Sequence, residues 1–136
     1  MSQHLFLRAY MTGIVPPTVF SLAVYIAISL GHSFFAMELP PVERFIVFPL
    51  VVVPNLWGIW NGVRAVMRRR LPLAAHGALL PIVNFGTGYV SARMLHIPIT
   101  PEMLRMLPVS LAMSMVAYYL VWKFVVGFLN TLVDVD

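Results

Sequence analysis

The chain has 136 residues, of which 60% are apolar or aromatic and only 10% are charged, and its mean hydropathy is +0.88. A soluble domain has about 25% charged residues, so this composition excludes an ordinary soluble enzyme and a disordered chain and indicates an integral membrane protein. The sequence has no cysteine, which excludes disulfides and thiolate-bound metals. We interpret the net charge of +4 as a membrane-topology signal and expect no nucleic-acid partner.

Stretches without charged residues predict four transmembrane helices, each close to the roughly 20 residues that a span needs. We place them at 10–31, 44–66, 73–95 and 104–129. The first is too long for the apolar region of a signal peptide, and no small-residue cleavage site follows it. The predicted fold is therefore all-α, a single domain over residues 1–136 in which four transmembrane helices form two helical hairpins side by side.

Cations in the loops predict the orientation of these spans. One side of the membrane holds six of them: Arg8, Arg64, Arg68, Arg69, Arg70 and Lys123. The other side holds three: Arg44, Arg93 and Arg105. We therefore expect both termini on the cytoplasmic side of a cell inner membrane. Trp57, Trp60 and Trp122 lie in the cytoplasmic halves of their spans, where we expect an aromatic belt facing the lipid headgroups.

The last span has a local signal for its start. Thr100 can cap a helix with its hydroxyl, Pro101 suits the first helical position, and Glu102 opposes the positive end of the helix dipole. These three residues predict that a helix begins at about residue 101.

A weak internal repeat relates the two hairpins. When the chain is shifted by 64 residues, six of 26 positions are identical, where this composition gives about two by chance. The pairs include Gly13 with Gly77 and His32 with His96. Two readings stay open: a duplicated hairpin with its symmetry axis along the membrane normal, or chance similarity between apolar segments.

Asn55 and Asn84 are the polar residues nearest to the middle of predicted spans. An unpaired amide in hydrocarbon is costly, so each is expected to have a partner inside the protein. One interpretation is a direct or water-bridged bond between them, or bonds to carbonyls freed by Pro54 and Pro81, which hold the helices together. The other is that both line a polar cavity.

The positions of the four histidines indicate a role less specifically than those of the two asparagines. His32 and His96 lie at the outer ends of the first and third spans, so they are a candidate axial pair for haem b or a metal, against the simpler expectation that no cofactor is bound. His4 and His76 lie among predicted cytoplasmic residues, where we expect them to be solvated.

Two further features point to lipids and partner helices. Arg64, Arg68, Arg69 and Arg70 surround a tight predicted cytoplasmic turn, where they are expected to contact anionic headgroups. Small residues recur every fourth position in all four spans and allow close helix packing. A stripe that the bundle does not use would be a docking surface for other membrane subunits or for a second copy.

No catalytic motif is present in the sequence, and no acidic residue lies within a predicted span. The leading interpretation is a small non-catalytic multi-pass inner-membrane protein, either an accessory or structural subunit of a membrane complex or a homo-oligomer. One alternative is a transporter or channel module for a small or lipidic solute. The other is an electron-transfer membrane anchor that binds haem through its histidines.

Overall fold

The computed structural model describes residues 2–35, 51–67 and 71–135, with only the backbone included for Ser2, Gln3, His32 and Phe35. This part of the chain is all-helical, with four helices and no strand. The helices are α1 Ser2–Phe35, α2 Val53–Val66, α3 Leu73–Met94 and α4 Pro101–Leu132. Within α4, residues Trp122–Val126 form a π-helical turn between two α-helical parts. The all-α class predicted from the sequence is confirmed.

The helix bounds follow the predicted spans most closely at α3, which ends one residue before the predicted 73–95. The first and last helices extend beyond their predicted spans at both ends. The second ends at Val66 as predicted, while residues 44–50 of that span lie outside the described residues.

Two of the helices are long and apolar enough to cross a membrane. They are the segments His4–Gly31 of α1 and Pro101–Leu132 of α4, and few of their side chains are buried inside the protein. Because water does not solvate such surfaces favourably, both helices fit an apolar environment.

The predicted start of α4 is confirmed. The Thr100 hydroxyl accepts a hydrogen bond from the backbone N–H of Met103 at 3.3 Å, Pro101 is the first helical residue, and Glu102 lies in the first turn. This cap satisfies one of the backbone donors that a helix start leaves free.

Glycines at equivalent repeat positions bring the helices of each hairpin together. A Cβ atom on Gly13 of α1 would lie 2.6 Å from the carbonyl oxygen of Trp57 and 2.9 Å from the Cα atom of Gly58, both in α2. A Cβ atom on Gly77 of α3 would overlap the indole of Trp122 in α4. Each glycine therefore permits a helix contact that no larger residue allows.

The two hairpins meet around a buried aromatic core. Trp57, Leu80, Trp122 and Val126 form this core, and the exposed fractions of Trp57 and Trp122 are 4% and 0%. The ring centroids of the two tryptophans are 5.6 Å apart. The expectation of a lipid-facing belt is wrong for these two residues. Large rings are needed to fill the space where α2, α3 and α4 meet.

A second buried cluster marks the end of the bundle where the chain begins and ends, which we call the terminal end. Ala9 of α1, Ala65 of α2 and Val135 pack together there, with Leu5 beside them. The Arg8 Nη1 atom lies 3.4 Å from the Val133 carbonyl oxygen, to which it donates. The segment after α4 thus contacts both helices of the first hairpin.

Candidate functional site

A cluster of three buried polar side chains joins the hairpins near the terminal end. The Asn61 Nδ2 atom donates to the Ala9 carbonyl at 2.8 Å, to Thr12 Oγ1 at 3.0 Å and to Asn130 Oδ1 at 2.9 Å. The Asn130 Nδ2 atom donates to Asn61 Oδ1 at 3.3 Å, and Thr12 Oγ1 lies 2.6 Å from Asn130 Oδ1. We call Thr12, Asn61 and Asn130 the amide cluster. It links α1, α2 and α4 through satisfied hydrogen bonds.

Sequence reasoning missed the amide cluster because its members lie near the ends of the predicted spans. Asn61 is only five residues from the end of α2, and Asn130 lies one residue beyond the predicted 104–129. A polar residue at a span end is ordinarily solvated by the interface, so position alone gave no signal. Both side chains are fully buried because the two hairpins close over them.

Asn55 and Asn84 bond within separate hairpins and not with each other. The Asn55 Oδ1 atom accepts from the Tyr10 hydroxyl at 2.6 Å, and its Nδ2 atom donates to the Val51 carbonyl at 2.6 Å. The Asn84 Nδ2 atom donates to the Tyr118 hydroxyl at 2.8 Å. The expected bond between the two amides is therefore not formed. Each amide instead connects the two helices of its own hairpin.

His76 lies in the aromatic core. Its exposed fraction is 9%, its ring stacks on Trp60 with 4.8 Å between centroids, and its Nε2 atom lies 3.0 Å from the Trp60 carbonyl oxygen. Trp60 Nε1 donates to the His76 carbonyl at 2.8 Å. The expectation of a solvated His76 is wrong, because α2 and α3 lie close enough for reciprocal bonds. His4 is exposed, in agreement with its expected position.

Arg64, the described arginine of the predicted cytoplasmic turn, is buried. Arg64 is only 7% exposed and shares the inward face of α2 with Asn61 and Ala65. This departs from the lipid contact that the sequence suggested for it, because the helix turns that face toward α1 and the end of the chain. Residues 68–70, the other three arginines of the turn, lie outside the described residues.

Of the two candidate haem ligands, only His96 has a described side chain. His96 is exposed and has a positive φ of 54°, which ends the helical path after α3. The His32 side chain lies outside the described part of the structure. Within the described residues, no group of three or more histidine or acidic side chains is placed to hold a metal ion.

An open groove of about 700 Å³ lies between α3 and α4, on the side away from the terminal end. Asn84 and Tyr118 line it, together with apolar side chains such as Tyr89, Met103 and Leu107. This volume is in the range of roughly 300–1,000 Å³ that is typical of ligand pockets. No carboxylate, imidazole, ammonium or guanidinium group from the described residues lines it. The groove can therefore hold an apolar molecule but offers no acid–base catalyst.

Asn55 does not line this groove. Its partners, Tyr10 and Val51, belong to the first hairpin, whereas the groove belongs to the second. The two deep asparagines thus do not share one polar cavity in the described structure. A continuous polar path through both was the arrangement that would have favoured a channel.

Comparison with known proteins gives no match of any kind: no family model fits the sequence, and no curated protein or solved structure is significantly similar to the chain. The geometry of the amide cluster, the aromatic core and the groove is therefore the basis for the function proposed below.

Proposed function

We propose that the protein is a small, non-catalytic integral membrane protein that spans an inner membrane four times and serves as an accessory or structural subunit. Its association with another membrane helix, from a partner subunit or from a second copy, would occur through α1. The observation that carries this proposal is an exposed stripe of small residues on α1, Ala23 and Ala27. Stripes with this spacing let two helices approach closely in a bilayer.

The small-residue stripe of α2 is already occupied within the described bundle. Gly58 and Gly62 of α2 lie under the rings of Tyr10 and Phe6, which come within 2.7 Å of where their Cβ atoms would be. The third stripe, in α3, lines the groove. The α1 stripe is therefore left for a contact outside the described bundle.

Large apolar side chains beside the stripe strengthen the case for a lipid or protein neighbour. Val19 and Phe20 are 62% and 71% exposed, and Phe34 is 77% exposed. A contiguous surface of this kind is unfavourable in water and is typical of a membrane or protein contact. In a bilayer, the small residues would allow a partner helix to displace lipid from between the large ones.

The amide cluster supports a structural role over a channel. Its hydrogen bonds close the terminal end of the bundle between α1, α2 and α4, with all three side chains buried. A conducting path would need polar groups that remain open to water along the whole span. A transporter or a haem-binding anchor remains the alternative to test.

The proposal is tested by the size of the native particle. We would extract the tagged protein at native expression level in mild detergent and measure its mass, then compare Ala27→Leu with Ala117→Leu. Ala117 is an exposed alanine of α4 outside the groove lining and serves as the matched control. We expect the wild type and the control to run as a complex and Ala27→Leu to dissociate. A particle with the mass of one chain would contradict the proposal, and an absorption band of haem would favour the anchor.

A further inference from the structure

The polar groups of the groove lie deep in the bundle. Asn84 is adjacent to the middle of α3, and Ser114 and Tyr118 lie within three residues of the middle of α4. At about 1.5 Å per residue, all three are within roughly 5 Å of the helix midpoints. If α3 and α4 span a bilayer, these groups lie about 15 Å from its surfaces, since the hydrocarbon core is about 30 Å thick.

The mouth of the groove is apolar. Ile99 and Met103 line it there, whereas the charged side chains nearby, Arg93, Glu102 and Arg105, are exposed and do not line it. A phospholipid headgroup would therefore find no ionic partner among the described residues of the groove. The depth of the polar groups also disfavours a charged ligand, because burying a charge at the bilayer centre is costly.

Two hydroxyls in the groove have unused hydrogen-bonding capacity. The Tyr118 oxygen accepts from Asn84, but its own O–H has no acceptor among the described residues. Ser114, one turn earlier on the same face of α4, forms no hydrogen bond within the described part of the chain. Unpaired hydroxyls in apolar surroundings are unfavourable, so a ligand that pairs with them gains affinity.

We infer that the groove binds a neutral lipid that carries a hydroxyl group, with that hydroxyl placed at Tyr118 and Ser114. An alcohol accepts from the Tyr118 O–H and donates to Ser114 Oγ, so both of its hydrogen-bonding functions are used. A carbonyl oxygen can accept from these hydroxyls but has no hydrogen to donate to Ser114 Oγ. The hydrocarbon chain then lies along Tyr89, Met103 and Leu107. This inference is independent of the association through α1.

The test uses two photoactivatable probes of equal chain length, a long-chain alcohol and the matching hydrocarbon. The purified protein is reconstituted in phosphatidylcholine vesicles, labelled with each probe, and mapped by peptide mass spectrometry. We expect the alcohol to label residues of the groove about fivefold more than the hydrocarbon, which corresponds to a net gain of one hydrogen bond. Labelling of the exposed outer surface of α1 should be equal for both probes.

Variants separate a specific site from general partitioning. Ser114→Ala should lower alcohol labelling toward the hydrocarbon level, whereas Ser110→Ala, one turn earlier and outside the lining, should leave it unchanged. Ala92→Trp should fill the groove and remove labelling by both probes. Tyr118→Phe should act like Ser114→Ala but also removes the partner of Asn84, so Ser114→Ala is the decisive variant.

Three results would overturn the inference. The first is equal labelling of the groove by the alcohol and the hydrocarbon. The second is alcohol labelling that persists in a folded Ala92→Trp protein. The third is a cross-link from the groove to another copy of the chain, which would show that a helix of that copy occupies it instead of a lipid.

Discussion

Asn61 and Asn130 bond reciprocally across the junction of the two hairpins, each donating its side-chain amide to the oxygen of the other, at 2.9 Å and 3.3 Å. The residues are 69 positions apart in the sequence and both are fully buried. This pair, with Thr12, connects the last turns of α4 to the first hairpin. Because both amides are buried, these bonds favour one arrangement of the hairpins over others.

We predict that Asn130→Leu lowers the free energy of unfolding by about 1–3 kcal/mol, because it leaves the buried Asn61 Oδ1 atom without its donor and removes one acceptor of Asn61 Nδ2 and of Thr12 Oγ1. The measurement is unfolding in mixed micelles of increasing denaturing detergent. Thr131→Val is the matched control, since the exposed Thr131 hydroxyl bonds only to the Gly127 carbonyl in its own helix. The double variant with Asn61→Leu should cost less than the sum of the single variants. An additive result would show that the two amides do not interact.

Substitutions of Asn55 and Asn84 should have additive effects on stability, in contrast to those of Asn61 and Asn130. Because they bond within different hairpins, the effects of Asn55→Leu and Asn84→Leu on the free energy of unfolding should add to within about 0.5 kcal/mol. Each single loss should be on the order of 1 kcal/mol, as for other interhelical bonds in bilayers. A strong coupling between these positions in the same detergent titration would mean that they share a partner absent from the described structure.

Glycine positions provide a matched pair for a packing test. Gly77→Ala should destabilise the protein by about 1–3 kcal/mol, because its Cβ atom would overlap the Trp122 indole in a filled core. Gly86→Ala in the same helix meets no atom within 4 Å and should be neutral or slightly stabilising. Fluorescence of the buried tryptophans during unfolding reports both effects. Equal stability of the two variants would refute the close packing of α3 and α4.

The proposed topology predicts which residues a membrane-impermeant thiol reagent reaches. Since the chain has no cysteine, single substitutions need no prior removal of native thiols. In intact bacterial cells, Ser2→Cys should be protected from a large maleimide and His96→Cys should be labelled, as the six-to-three distribution of cations requires. After the cells are opened, both positions should react. Labelling of Ser2→Cys in intact cells would reverse the orientation.

Local features of this fold could be predicted from the sequence, whereas features made by the meeting of the hairpins could not. The Thr100 cap and the bounds of α3 depend on neighbouring residues, so spacing and residue type were sufficient. Trp122 is expected to face the lipid headgroups and His76 to be solvated, but both pack inside, because their environment is created by helices far away in the sequence.

The candidate sites also combine features that the sequence predicts with features that depend on how the helices pack. The importance of Asn84 followed from its depth in a predicted span, but its partner Tyr118 did not, because the crossing of α3 and α4 determines it. The amide cluster was missed altogether, and the cavity that the sequence suggested for Asn55 and Asn84 is lined by Asn84 alone of the two. Both arise where helix faces converge, and helical periodicity alone does not tell which faces those are.

The π-helical turn at Trp122–Val126 determines the directions in which the later side chains of α4 point around the helix axis. Tyr118 and Asn130 are twelve residues apart, which in an unbroken α-helix would separate their directions by about 120°. The wider turn takes up one additional residue and reduces that angle to about 20°. Tyr118 and Asn130 therefore lie on nearly the same side of α4. Tyr118 bonds there to Asn84 of the second hairpin, and Asn130 bonds to Asn61 of the first. Deletion of a single residue between 122 and 126 would therefore turn this segment into a regular α-helix and leave the angle between Tyr118 and the end of the chain at about 20°.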